Sequence, residues 1–340
     1  MRNLLILALF LTCLAACKPS PVQHQEAYVF GTRVEVLVAD ADEQKGRNAI
    51  ATVLREFDRL NTAYHAWKPS ELTTLNQAMA AGNKHAVTPE LAAFITDAQD
   101  LAKQGDYLFD PGIGRLIGIW GFQSDEFEPK IPAPATLAAW LQKKPSIADI
   151  EISNNVVSSH NTAVSLDFGG YLKGVALDRA AAVLKREGID NALINIGGNV
   201  MALGSKQGRK WKVGIRHPRQ PGPLAALELN DGEATGTSGD YQRFFELDGK
   251  RYPHLLDPRN AQPVTHTQSL TILIPAGKRS GTLSDALSKP IFIAGSDGWR
   301  NMARQLGVEH VLRVDASGKV QVTEKLRQRL ETQEAMETIQ

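Results

Sequence analysis

Cysteine is nearly absent. The 340-residue sequence has two, Cys13 and Cys17, both near its start. If the leader read below is removed and Cys17 modified, the body keeps no free thiol. A disulfide framework, a thiolate zinc site and a catalytic cysteine are then excluded. A thiol-free body suits an oxidising envelope compartment. Excess charge of one sign is also missing: 38 basic and 37 acidic side chains leave a formal +1. No Lys/Arg run is dense enough to track phosphates, so nucleic acid is not an expected partner. Beyond the leader no apolar run is long enough to cross a bilayer. No repeat of solenoid period occurs. With 22% charged and 43% hydrophobic residues, neither disorder nor a fibrous repeat fits.

Residues 1–16 combine a basic start, an apolar run from Leu4 to Leu14 and small residues, the pattern of a secretory signal. Leu14-Ala15-Ala16-Cys17 resembles the bacterial lipobox, which makes Cys17 the lipidated first residue of the mature chain. A plain signal peptide with an incidental Cys17 is the alternative. The expectation is a signal at 1–16, a lipidated linker at 17–27, a folded body at 28–325 and a polar, helix-prone tail at 326–340. The chain would then be anchored by lipid in a bacterial cell envelope, facing the periplasm.

Val34-Glu-Val-Leu-Val38 alternates as a strand does. Ile50, Val53, Leu54, Phe57 and Leu60 recur at helical spacing, and Pro89–Lys103 reads as a helix with proline in its first turn. Residues 123–136 read as a surface loop, and short strands begin near 149. The clearest helix spans Tyr171–Glu187 and is closed by Gly188. Strand signals follow at 192–196, 211–215, 224–229, 242–247 and 269–274, then helices at 282–294 and 297–305. The order is mixed α+β without regular βαβ alternation.

Five clusters can carry chemistry, and each has a bland alternative. In Asp167-Phe-Gly-Gly-Tyr-Leu-Lys-Gly174, glycines admit a ligand close to the backbone at a helix start; the alternative is a capped, tightly packed helix start. Gly197-Gly198 after an apolar strand reads foremost as a turn. Thr235-Gly-Thr-Ser-Gly-Asp-Tyr241 offers small donors to a polar ligand, or simply forms a turn between strands. His254 and Asp257 lie among prolines, where a histidine acts as a base or is merely hydrogen-bonded. Asp285 and Ser288, at i and i+3, could share a Mg²⁺ ion, or Asp285 could be an acid suited to a helix start.

In order along the chain, these segments resemble the ApbE family of flavin transferases. The likeness rests on Phe30-Gly31-Thr32, on Trp67 followed by Ser70-Glu-Leu-Thr-Thr-Leu-Asn76, and on Phe109-Asp-Pro-Gly-Ile-Gly-Arg-Leu116 with Trp120-Gly-Phe122. It continues through Asp167–Gly174 with Asp178, Gly197-Gly198, Thr237–Tyr241, His254-x-x-Asp257-Pro258 and Asp285, covering about residues 28 to 296. The resemblance implies a two-lobed α+β domain with a mixed sheet, related to the T-fold, with FAD bound between the lobes. It implies cleavage of FAD at its pyrophosphate, Mg²⁺-dependent transfer of FMN to a Thr or Ser hydroxyl of a protein, and release of AMP. By matched position, Phe30, Trp67, Asp110, Asp167, Lys173 and either Leu255 or Leu256 would contact the flavin nucleotide. Gly170, Asp285 and Ser288 would hold the metal, and His254 would activate the hydroxyl. The implied acceptors are flavoproteins such as subunits of membrane quinone reductases and related electron-transfer complexes.

One position departs from the family. A threonine is common four residues after the metal aspartate, whereas here Lys289 stands there, before Pro290. A charged lysine offers no lone pair. Three arrangements are open: Ser288 replaces the missing oxygen, water does, or Lys289 contacts phosphate directly. The departure keeps two other readings open, an FAD-binding lipoprotein without transfer and an FAD hydrolase.

Overall fold

The computed structural model describes residues 21–124 and 128–339. The leader and Cys17 lie outside them. The alternating valines form strand β2 (Thr32–Val38), with Val34, Val36 and Val38 fully buried. Among the described residues β2 belongs to a nine-stranded mixed sheet. Its other strands are β1 (Gln23–Val29), β3 (Ala192–Ile196), β4 (Asn199–Leu203), β5 (Ala234–Gly239), β6 (Thr267–Ile274), β7 (Val311–Asp315), β8 (Val320–Thr323) and β9 (Glu337–Ile339). Order across the sheet equals order along the chain, so the framework is one long meander. Neighbours are antiparallel throughout except the β8–β9 pair. Everything else is inserted between consecutive strands.

Three helices cover one sheet face: α1 (Glu43–Ala63) and α2 (Leu172–Arg186) from the β2–β3 connection, and α3 (Ser280–Ile293) from the β6–β7 connection. Asp42 caps α1 by accepting from the Lys45 N–H at 3.0 Å, and Ile50, Val53, Phe57 and Leu60 form its buried stripe. A hairpin, Trp211–Arg216 with Pro223–Leu229, covers the other face, joined by the short strand Leu330–Glu331. A second lobe gathers the helices Gly114–Ile119 and Pro134–Lys143 with strands from residues 244–263 around Trp120, Phe122, Trp140 and Phe245. No helix among the described residues is long and apolar enough to cross a membrane.

Two glycines set the depth of α3. A Cβ on Gly236 of β5 would lie 2.0 Å from the Ser284 carbonyl oxygen, and one on Gly174 of α2 would lie 2.5 Å from that of Gly281. Both neighbours are backbone, so only glycine lets sheet and helices approach this closely. Asp178 of α2 then accepts from the Gly281 and Thr282 N–H groups and from the Thr282 hydroxyl, capping α3 from across the interface.

Four sequence expectations change. The run 235–241 is mostly strand β5, deep in the sheet; Thr235 and Ser238 are buried because glycine spacing packs them under α3. Residues 23–27, placed in the linker, belong to strand β1 (Gln23–Val29). The tail beyond 325 keeps only the end of a short helix, Glu324–Arg327; residues 330–331 and 337–339 pair into the two sheets. The expected loop 123–136 ends at Pro134, where a helix begins.

Candidate active site

A cleft of about 740 Å³ lies between the sheet-and-helix body and the second lobe. That volume suits a cofactor-sized ligand. At one rim, β1 and β2 are joined by the two-residue turn Phe30-Gly31, with φ of 56° and 68°. Both values are positive, as a tight hairpin requires, and the Phe30 ring packs edge-on against Phe57 of α1. Gly197-Gly198, also at positive φ, makes the matching turn between β3 and β4.

Asp167, Phe168, Gly169 and Gly170 form one wall. The Asp167 carboxylate accepts from the Gly169 N–H at 2.7 Å and from Trp67 Nε1 at 3.2 Å, so it fixes the turn and the indole rather than capping α2. Burial pushes its carboxyl up, opposed by those donors and by Arg243. Asp110 lines the same cleft, but its Oδ1 accepts from the N–H groups of Gly112 and Ile147 at 2.7 and 2.9 Å. It locks two loops together. Lys173, in the first turn of α2, donates to the Gly169 carbonyl at 3.3 Å.

The second lobe supplies His254, Leu255 and Leu256. His254 does not pair with Asp257, whose carboxylate is held by Arg259. Instead His254 Nδ1 lies 3.0 Å from the Arg243 carbonyl oxygen. A carbonyl only accepts, so the neutral ring carries its proton on Nδ1 and leaves Nε2 with a lone pair. Burial, reinforced by the positive charges of Arg243 and Lys173, lowers the imidazole pKa to about 3. The ring is therefore a neutral acceptor at physiological pH.

The residues expected to hold Mg²⁺ do converge, but around a lysine. Asp285 is fully buried in α3; its Oδ1 is paired with Lys289 Nζ and its Oδ2 accepts from the Gly174 N–H at 3.0 Å. Lys289 Nζ also donates to the Asp285 carbonyl at 2.7 Å. Gly170 lies beside it, since a Cβ there would sit 3.3 Å from Lys289 Cε. The Ser288 hydroxyl donates to the Asp285 carbonyl and shares a 2.8 Å hydrogen bond with Ser238. Burial alone would raise the Asp285 carboxyl, but Lys289 and Lys173 outweigh it and hold it below the usual range. Burial lowers the Lys289 ammonium to about 8, with Asp285 acting against that shift. Both carboxylate oxygens and the serine hydroxyl are thus engaged, and an ammonium stands where the ion would bind. As arranged, this set does not fit a divalent cation.

Sequence reasoning missed Arg243, whose guanidinium lies 5.4 Å from the centre of the Trp67 ring and donates to the Phe122 and Ser124 carbonyls. It also missed Tyr64 and Gln242 in the cleft wall. Isolated residues beyond the motif blocks carry no spacing signal. Only the position of Arg243, two residues after the hydroxyl-rich block, could have pointed to it.

Residues 30–312 match the ApbE family model. The FAD:protein FMN transferase of Rhodobacter capsulatus is 40% identical over 93% of the chain, which spans 60% of that longer relative. The FAD:protein FMN transferase of Haemophilus influenzae is 27% identical over 94% of the chain and 95% of its own length. The crystal structure of the ApbE protein from Thermotoga maritima superposes with a TM-score of 0.82 at 28% identity, covering 91% of this chain and 99% of that one. Sequence, fold and cleft lead to one assignment: the chain belongs to the ApbE family.

Proposed function

We propose that the protein transfers the FMN half of FAD to a Thr or Ser hydroxyl of an acceptor flavoprotein and releases AMP. The observation that carries this is the shared cleft, in which a neutral histidine with a free Nε2 sits within electrostatic reach of Lys173 and Lys289. Aromatic and apolar walls, from Phe30, Trp67 and Leu255, suit the flavin and adenine rings, and the lysines suit the pyrophosphate. The acceptor oxygen attacks the phosphorus on the riboflavin side. A new O–P bond forms, and the bond from that phosphorus to the bridging oxygen breaks. AMP leaves with that oxygen and its electron pair, and the hydroxyl proton passes to His254 Nε2. No step runs through Mg²⁺, because Lys289 holds the carboxylate that would bind it.

The leader with Cys17 supports a lipid-anchored, periplasm-facing protein. Acceptors on membrane electron-transfer complexes, such as quinone reductase subunits, fit that placement.

The test incubates the chain with FAD and a flavinylation-competent acceptor domain. Flavin fluorescence on the denatured acceptor, with equimolar AMP, is the expected result. His254→Gln lowers that rate by about 10²–10⁴-fold while FAD still binds. AMP without labelled acceptor would identify a hydrolase. Bound FAD with neither product would identify a binding protein.

A further inference from the structure

We infer that Lys289 is the resident cation of this site: its ammonium, held by Asp285, binds the FAD pyrophosphate in place of a divalent metal. The inference rests on the transferase reading for its substrate but deepens it by assigning the positive charge. Three observations support it. Lys289 is on the cleft wall, with a side chain only 11% exposed, so beyond its contacts with Asp285 its ammonium is open to the cleft. Its partner Asp285 has both oxygens engaged, one by Lys289 and one by the Gly174 N–H, so a cation would have to share a carboxylate oxygen with the ammonium or displace it. Displacement would strand a cation beside the incoming ion, because Nζ is also held by the Asp285 carbonyl and Lys173 adds a second positive charge nearby.

The arrangement is also built in. Asp285 and Lys289 are one turn apart on α3, and the depth of α3 is fixed by Gly174 and Gly236. Gly170 leaves the space that the lysine stem runs through. A ligand phosphate entering here meets two ammonium groups, Lys289 and Lys173, with the neutral His254 alongside. That charge can offset what develops on the bridging oxygen as AMP departs. Lys289 gives up no proton in the step.

The test has a binding arm and a turnover arm, both on the full chain. In chelator, Lys289→Thr is expected to weaken FAD binding by about 10–100-fold, the loss of one charge-assisted contact. Riboflavin, which has no phosphate, is expected to bind both proteins equally. Mn²⁺ titration of the FAD complex, followed by the spectrum of the free ion, should find no stoichiometric site in the wild type and one in Lys289→Thr. Asp285→Asn/Lys289→Met removes both charges together and leaves no lone buried ion. It should show the same selective loss of FAD, which guards against a misfolded single variant. In turnover, wild-type transfer should persist in chelator, whereas Lys289→Thr should transfer only when Mg²⁺ is supplied. Unchanged FAD affinity in the variants, or a stoichiometric Mn²⁺ site in the wild type, overturns the inference. Loss of wild-type transfer in chelator overturns it too. If no acceptor is ever labelled, the transferase reading fails, while the FAD, riboflavin and Mn²⁺ titrations still decide the role of Lys289.

Discussion

At the scale of single residues the site is governed by which charges are already satisfied. His254 is the clearest case. Protonation would remove the Nε2 lone pair, and an unperturbed histidine would lose it near pH 6.5. Burial and the cations around His254 lower that point to about 3. The pH profile of kcat/KM, which reports the free enzyme, should therefore show no acid limb near 6.5; an inflection there would assign the proton acceptor to another group. Asp178 is a second case. It offers three contacts to the first turn of α3 and does not line the cleft. Asp178→Ala should cost about 1–2 kcal/mol of stability, as loss of a helix cap does. Chemical denaturation measures it, and FAD affinity reported on the folded fraction should be unchanged.

At the scale of elements, α3 is the part on which the site depends. It lies between β5 and α2, and nearly every residue along it is buried. Gly174→Ala and Gly236→Ala each put a methyl group into backbone that cannot move without shifting α3. Each should destabilise by about 1–3 kcal/mol, the usual cost of overpacking. Because Asp285 and Lys289 ride on the same helix, FAD affinity should fall as well. A Gly236→Ala protein with wild-type melting temperature and FAD affinity would refute the close approach of sheet and helix. The β1–β2 turn is different. Phe30 holds φ of 56°, which is costly for a residue with a Cβ. Its ring is retained at the rim by Phe57 of α1, so the strain coincides with a residue that lines the cleft.

At the scale of the whole molecule, the meander ties both ends of the described residues into the main sheet. β1 is one edge of the main sheet and β9 the other. Removing residues 328–340 strips β9 from β8 and Leu330 from the second apolar cluster. The truncated chain should melt well below the parent and be cleaved faster by protease, as an exposed β8 edge would dictate. Ligand binding works in the opposite direction. FAD at about 100 times its Kd should stabilise the fold by about 2.7 kcal/mol, visible as a rise in melting temperature. Riboflavin at the same multiple of its own Kd should do the same. An FAD site outside the cleft would show no competition between the two.

The amino-acid order by itself determined most local elements and pointed to several of the residues at the cleft. The valine alternation of β2, the apolar stripes of α1 and α2, and the double-glycine turn between β3 and β4 depend on nearest neighbours and helical period. Asp167, Lys173, His254 and Asp285 stood out because glycines, prolines or hydroxyl residues flank them at fixed offsets. Tertiary structure decided what those groups do, since hydrogen-bond partners distant in sequence leave no periodic trace. Asp110 and Asp167 are committed to backbone and indole donors brought in from other segments. Arg243 reaches the site through the second lobe, and the tail joins two sheets through strands too short to show alternation. Lys289 was legible as an anomaly at one position. That it neutralises Asp285 was fixed only by the burial of α3, where a carboxylate removed from water must take the nearest cation.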